Sequence, residues 1–151
     1  MKTVVQRVTR ASVTVDGAIV GGIGPGVMLL VGVEKGDTEA DADVTARKIA
    51  ALRIFPGKTP MDVTLADVGG ACLVVSQFTL CATLGKGNRP SFEPAEAPAR
   101  AEVLYLRVAE ALRAAGLPVA TGRFGADMAV ELVNDGPVTF IVEARAGALV
   151  K

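Results

Sequence analysis

The stretch from Met128 to Val142 limits the possible folds of this chain more than any other. An apolar, strand-like run, Met128-Ala129-Val130-Glu131-Leu132-Val133, stops at Asn134-Asp135-Gly136-Pro137 and resumes as Val138-Thr139-Phe140-Ile141-Val142. Proline has no N–H to give to a ladder, so inside a sheet it is confined to an edge, a strand start or a bulge. Gly136 brings unrestricted backbone angles and Pro137 a fixed φ, which aims the neighbouring carbonyls in set directions. Such a turn can hold a ligand with backbone alone. A second marked segment, Ser76-Gln77-Phe78-Thr79-Leu80, follows the apolar strand Cys72-Leu73-Val74-Val75 and sets hydroxyls and an amide at a strand end. Polar sites interrupting two apolar strands predict one shared pocket.

A chain of 151 residues suits a single domain, 1–151, with enough interior for a core that needs no disulfide or metal staple. Half the residues are hydrophobic, and 16 basic residues balance 16 acidic ones. That composition fits a soluble globular protein and speaks against a strongly basic nucleic-acid coat, so any contact with RNA is expected to be local and no DNA partner is expected. The cysteines, Cys72 and Cys81, are too few for a disulfide framework and match no zinc spacing, which fits a reducing, cytoplasmic setting. No charged-then-apolar leader and no run of membrane length is visible, so neither secretion nor a membrane partner is expected.

Histidine is absent altogether. Its absence removes the usual general base at neutral pH, Ser-His-Asp and Cys-His nucleophile systems, and every histidine-containing metal site. Catalysis would have to use carboxylates, lysine, hydroxyls, backbone dipoles or groups that the substrate brings. Neither a metal nor a cofactor is expected.

Strand character runs through Val4, Arg7-Val8 and Ala11-Ser12-Val13-Thr14-Val15, and Asp16-Gly17 signals a hairpin into Ala18-Ile19-Val20. Val27 to Val33 reads as a central strand buried on both faces. A helix is predicted from Asp37 or Thr38 to about Leu52, with Asp41 as capping partner of Thr38 and with Ala42, Ala46, Ile49 and Ala50 facing inward. A second helix follows from Pro98 at a first helical position, Gly116 as C-cap, and Leu104, Val108, Ala111, Leu112 and Ala115 at helical spacing. The predicted fold class is α+β, with mainly antiparallel β-sheets in a barrel-like arrangement and two principal helices.

Taken together, Ser76-Gln77-Phe78-Thr79-Leu80 and Asn134-Asp135-Gly136-Pro137-Val138-Thr139 resemble the motif pair of the D-aminoacyl-tRNA deacylases. Gln6-Arg7-Val8 through Val15, Gly32-Val33-Glu34, Arg89-Pro90-Ser91-Phe92 and Thr121 to Met128 extend the resemblance over nearly the whole chain in the family's order. The tail from Glu143 to Lys151 is longer than that pattern and is assigned no role. The resemblance implies hydrolysis of the ester joining a D-amino acid, or glycine, to the 3′-terminal ribose of tRNA. It implies a homodimer with composite active sites, in which the Gly136-Pro137 loop of one subunit enters the other's pocket, takes the substrate's α-ammonium on its carbonyls and walls off an L side chain. It implies a cis Gly136-Pro137 peptide, although most X-Pro bonds in folded proteins are trans. Ser76, Gln77, Phe78 and Thr79 become the catalytic segment, Gly136 and Pro137 the chiral selector, and Arg7, Asn134 and Thr139 their support. Lys86 and Arg89 become possible tRNA contacts.

The residues leave alternatives open. Thr79 is either a nucleophile or a shaper of the oxyanion-side backbone, and no base is evident beside it. Ser76 and Gln77 serve either the pocket or ordinary strand-end hydrogen bonds; Phe78 serves the core or stacks on a terminal adenosine. Arg7, Lys86 and Arg89 would be solvated charges in another protein. Rival classes are a small-ester hydrolase using Thr79 or Cys81 with Lys86 as helper, and a non-catalytic RNA-binding module.

Overall fold

A computed structural model of the chain describes residues 1–85 and 87–150. Its longest early element is β1 (Lys2–Val15), which serves three partners. Along one edge its first half pairs with β3 (Gly26–Gly32) and its second half with β2 (Ala18–Ile23). Along the other edge it pairs with β6 (Ala129–Arg145). These pairings are all antiparallel. Asp16 and Gly17 adopt φ of 49° and 77° in the turn between β1 and β2, the left-handed conformations that an Asp-Gly hairpin predicts.

From β3 the chain passes through α1 (Glu39–Ala51) to β4 (Ala71–Ser76), and from β4 through α2 (Pro98–Ala114) to β5 (Val119–Thr121). Each helix acts as a crossover, so β3 with β4 and β4 with β5 pair in parallel. The sheet order is β5-β4-β3-β1-β6, followed by the short β7 (Ala148–Leu149), with β2 on β1. The antiparallel expectation therefore holds around β1 and β6 and gives way at β3, β4 and β5. The continuous apolar runs of β3 and β4 are the pattern of strands covered on both faces.

Side-chain alternation along β1 divides the interior into two clusters. Val5 joins Leu29, Val74, Ile49, Leu104 and Val108 beneath the helices. Val8 and Val13 join Met28, Leu73 and Val75 inside the curl of the sheet. The curl brings β2 against β5 so closely that a Cβ on Gly21 would stand 2.2 Å from the Thr121 carbonyl oxygen. A glycine there permits the half-barrel to close.

The helix signals read from sequence have physical counterparts. Asp41 accepts from the Thr38 N–H at 2.8 Å and the Thr38 hydroxyl at 3.0 Å, fixing the start of α1. Ala42, Ala46 and Ile49 are buried while Ala50 is partly so. Pro98 opens α2 and Gly116 takes φ 86° beyond its end. Ala115 is exposed, contrary to its expected place on the buried stripe, because the helix ends just before it; Ala101, Tyr105 and Ala109 complete that stripe instead. The tail is structural: β6 runs to Arg145, and Gly147 N–H donates to the Asp41 carboxylate at 2.9 Å.

Barrel closure predicts a clean contrast between neighbouring glycines. Gly21→Ala should lower stability by about 1–3 kcal/mol through backbone overpacking. Gly24→Ala, with nothing within 4 Å of an added Cβ, should stay within about 0.5 kcal/mol of the parent. Urea unfolding midpoints at constant slope measure both.

Candidate active site

Strand β4 ends at Ser76, paired with Val31, and Gln77 N–H extends the ladder by donating to Val31 O at 2.8 Å. The chain then closes into one 3-10 turn, Phe78–Cys81, whose Leu80 N–H donates to Gln77 O at 3.2 Å. The turn lies directly on the end of β3. A Cβ on Gly32 would stand 2.9 Å from Leu80 Cβ and 3.1 Å from Gln77 O, so glycine sets how deep the turn sits.

Beside this turn lies a cleft of about 580 Å³, bounded by Ser76, Gln77 and Phe78, by Glu96 and Pro98 at the start of α2, and by the segment 124–128. Phe124 is backed by the buried Tyr105 of α2 at a ring separation of 6.0 Å. Val130 of β6 reaches the same cleft. Its charged lining, among the described residues, consists of the carboxylates Glu96 and Asp127, without lysine or arginine. Thr79 is exposed next to the cleft, and its hydroxyl accepts from Gln77 Nε2 at 2.5 Å. Burial pushes the Cys72 thiol up to about 12. Cys81 is raised as well, by burial first and by the Glu34 carboxylate second, and its Sγ lies 3.4 Å from Val33 O.

The second polar segment forms a loop inside the β1–β6 ladder. Gln6 pairs with Thr139 and Val8 with Asn134, so Arg7 alone stands opposite the inserted residues 135–138. Asn134 Nδ2 donates to Arg7 O at 2.9 Å and to Val138 O at 3.1 Å, while its Oδ1 accepts from Val138 N–H at 3.4 Å. Arg7 is buried. Its Nε donates to Asp135 O at 2.8 Å and one terminal nitrogen donates to Ile54 O at 2.7 Å. The guanidinium carbon sits 6.0 Å from the centre of the Phe55 ring. Thr139 accepts from Gln6 Nε2 at 3.2 Å. The Gly136-Pro137 peptide is cis, and both residues are exposed.

A single chain thus brings the expected site residues together in two groups. Ser76, Gln77 and Phe78 meet at the cleft with Thr79 alongside; Arg7, Asn134, Gly136, Pro137 and Thr139 form the loop. Among the described residues, none from Asn134 to Thr139 lines the cleft. The expected shared pocket is absent within one copy because β6 reaches the cleft through Val130, whereas its loop lies farther along the strand, opposite Arg7 of β1. Arg89 is exposed, and Lys86 lies outside the described residues. Sequence reasoning missed the Ile54 carbonyl, the Phe55 ring, Glu96 and Asp127. A backbone acceptor leaves no mark in a sequence, and the cleft's acids become neighbours only through the fold.

The family model for D-Tyr-tRNA(Tyr) deacylase matches residues 4–143. The chain belongs to this family. Relatives named D-aminoacyl-tRNA deacylase include one from Paracoccus denitrificans, 57% identical over 95% of this chain and 97% of its own length. Another from Geobacter sulfurreducens is 52% identical over 97% of each chain. Among solved structures, one described as c-Myc DNA unwinding element binding protein has 42% identity and a TM-score of 0.90, covering 97% of this chain and 100% of its own. A "probable eukaryotic D-amino acid tRNA deacylase", 19% identical with a TM-score of 0.80 over 93% of this chain and 97% of its own, shares the fold of this deacylase family member.

The clamp on the loop yields a prediction for backbone dynamics. Arg7→Met removes the donors to Asp135 O and Ile54 O while retaining much of the apolar stem. Amide exchange at Val138 should accelerate at least about ten-fold, the equivalent of about 1.4 kcal/mol of lost local protection, with the β1–β3 amides unchanged. Residue-resolved hydrogen exchange checks it; equal acceleration across β1–β3 would mean that Arg7 supports the fold as a whole.

Proposed function

We propose that the cleft beside Ser76-Gln77-Phe78-Thr79 is where this member of the deacylase family hydrolyses the ester bond of D-aminoacyl-tRNA, and that the Gly136-Pro137 loop of a second copy completes the site. The observation that carries this reading is the separation, within one copy, of an exposed, clamped loop from the cleft it is suited to finish, with exposed apolar residues on β6 to either side of the loop. Val130 lines the cleft, and Val133, Phe140 and Ile141 continue along β6 on both sides of the loop. Exposed apolar residues flanking the loop favour burial against another copy, and an isologous pairing would present each loop to the partner's cleft.

Within that dimer the loop carbonyls take the substrate's α-ammonium, and backbone N–H groups at the turn after β4 take the ester oxygen as negative charge develops on it. With ammonium and carbonyl both held, the remaining Cα substituents point in fixed directions. Only the D side chain then faces open space, whereas glycine passes for lack of a side chain. Water adds to the carbonyl carbon, the bond to the ribose oxygen breaks, and that oxygen leaves as a hydroxyl. The neighbouring ammonium and vicinal 2′-hydroxyl already activate this ester, so positioning and oxyanion stabilisation suffice without histidine. On this reading the exposed Arg89 meets the RNA backbone, and the setting is the cytoplasm, where aminoacyl-tRNA is used.

Two features weigh against covalent catalysis. Thr79 has an amide as its hydrogen-bond partner instead of a base. Both thiols are buried and held above their ordinary range, so neither is poised as a thiolate.

Single-turnover deacylation tests the reading. D-Tyrosyl-tRNA and glycyl-tRNA should lose their amino acid while L-tyrosyl-tRNA survives, and Thr79→Ala should retain activity within about ten-fold. A loss approaching the roughly 10⁶-fold effect of removing a hydrolase nucleophile would make Thr79 the attacking group. Binding of tRNA without ester turnover would leave a non-catalytic RNA-binding module.

A further inference from the structure

Phe92 has no part in the site as described above, yet it is 40% exposed and fixed in place. Its ring packs edge-on against Phe78, with centroids 5.1 Å apart and planes at 66°, while Phe78 itself is 54% exposed and lines the cleft. Two exposed rings in edge contact make one continuous apolar surface, which a single exposed ring would not, and a surface of this kind suits a ligand. The backbone around Phe92 is tied on both sides. Thr83 and Ser91 exchange hydrogen bonds of 2.9 and 3.1 Å, Ala95 N–H donates to Phe92 O at 3.0 Å, and Lys35 N–H donates to Pro94 O at 2.9 Å.

We propose that Phe92 is the stacking platform for the base of the nucleotide preceding the terminal adenosine of the tRNA 3′ end. This subsite rests on the deacylase reading of the cleft. The single-stranded 3′ end must leave the cleft along its rim, and Phe92 continues the aromatic surface that Phe78 begins there. Charge points the same way. Glu96 and Asp127 line the cleft without a cation among the described residues, which disfavours phosphate inside it. Arg89 is exposed on the loop that carries Phe92, where a guanidinium can meet the backbone of the same nucleotide. A base stacked on a preformed ring needs little further ordering of the protein, and any base has a face suited to it.

The test compares a full substrate with one that ends at the terminal adenosine. D-Tyrosyl-tRNA and the D-tyrosyl ester of adenosine are each assayed with the parent chain and with Phe92→Ala, Phe92→Leu and Phe92→Trp. Phe92→Ala should lower kcat/KM for the tRNA ester about ten-fold, within the roughly 5- to 150-fold span of base–aromatic stacking, and mainly through KM. Turnover of the adenosine ester should stay within about two-fold. Phe92→Trp should restore the tRNA ester and Phe92→Leu should not, separating stacking from simple packing. Equal losses on both substrates, or a shift in oligomeric state by light scattering with Phe92→Ala, would assign the ring to the fold or to a subunit interface and overturn the proposal. No loss on either substrate would overturn it too. A parent chain inactive on both D-esters would instead refute the deacylase reading, and this one with it.

Discussion

Four residues can be inserted into the middle of a β-ladder only if the polar groups they displace find other partners. Here Arg7 and Asn134 provide them. Asn134 replaces the lost rungs with its amide, reaching Arg7 O and Val138 on either side of the excursion. Arg7 turns its fork between Asp135 O and Ile54 O, joining the loop to the segment after α1. A buried guanidinium is tolerable because these carbonyls and the Asp135 carboxylate, 3.3 Å from Nε, compensate its desolvation. The loop is thereby exposed but held, which is the condition for backbone carbonyls to act as a selective surface instead of a flexible one.

The chemistry assigned to the cleft follows from what its groups can and cannot do. A histidine-free chain with buried, unactivated thiols offers no conventional nucleophile and base. The task that remains is within reach of backbone geometry: orient an ester that is already activated, receive the developing oxyanion, and exclude one enantiomer. Glu96 and Asp127 give the cleft an acidic lining, which suits the proposed binding of a cationic α-ammonium better than that of phosphate.

Local features of the fold were legible in the sequence because they depend on neighbours in the chain. The Asp16-Gly17 hairpin, the Thr38–Asp41 cap, Pro98 at the start of α2 and Gly116 beyond its end all appear where their residue chemistry places them. The break in the β1–β6 ladder was legible for the same reason, since proline and glycine carry their backbone constraints with them, although β6 itself runs on through it. Parallel pairing of β3, β4 and β5 was not legible, because it depends on which way each helix returns the chain. The separation of the two polar segments was hidden in the same way: that β6 reaches the cleft through Val130, with its loop farther along the strand, is a non-local property. Arg7 was singled out through the family resemblance, but its second anchor is a carbonyl at Ile54, to which no side-chain pattern points.

Coexpression of two differently impaired chains addresses the cross-copy site most directly. Gly136→Ala places a Cβ 1.9 Å from Val138 N and must displace the loop, whereas Ser76→Phe fills the cleft. Each variant alone should be inactive on D-tyrosyl-tRNA, while the purified mixed dimer should regain turnover, since one of its two composite sites combines an intact cleft with an intact loop. A mixed dimer that forms and stays inactive, or a Gly136→Ala protein with unchanged D-ester cleavage, would contradict a site completed by the loop of a second copy.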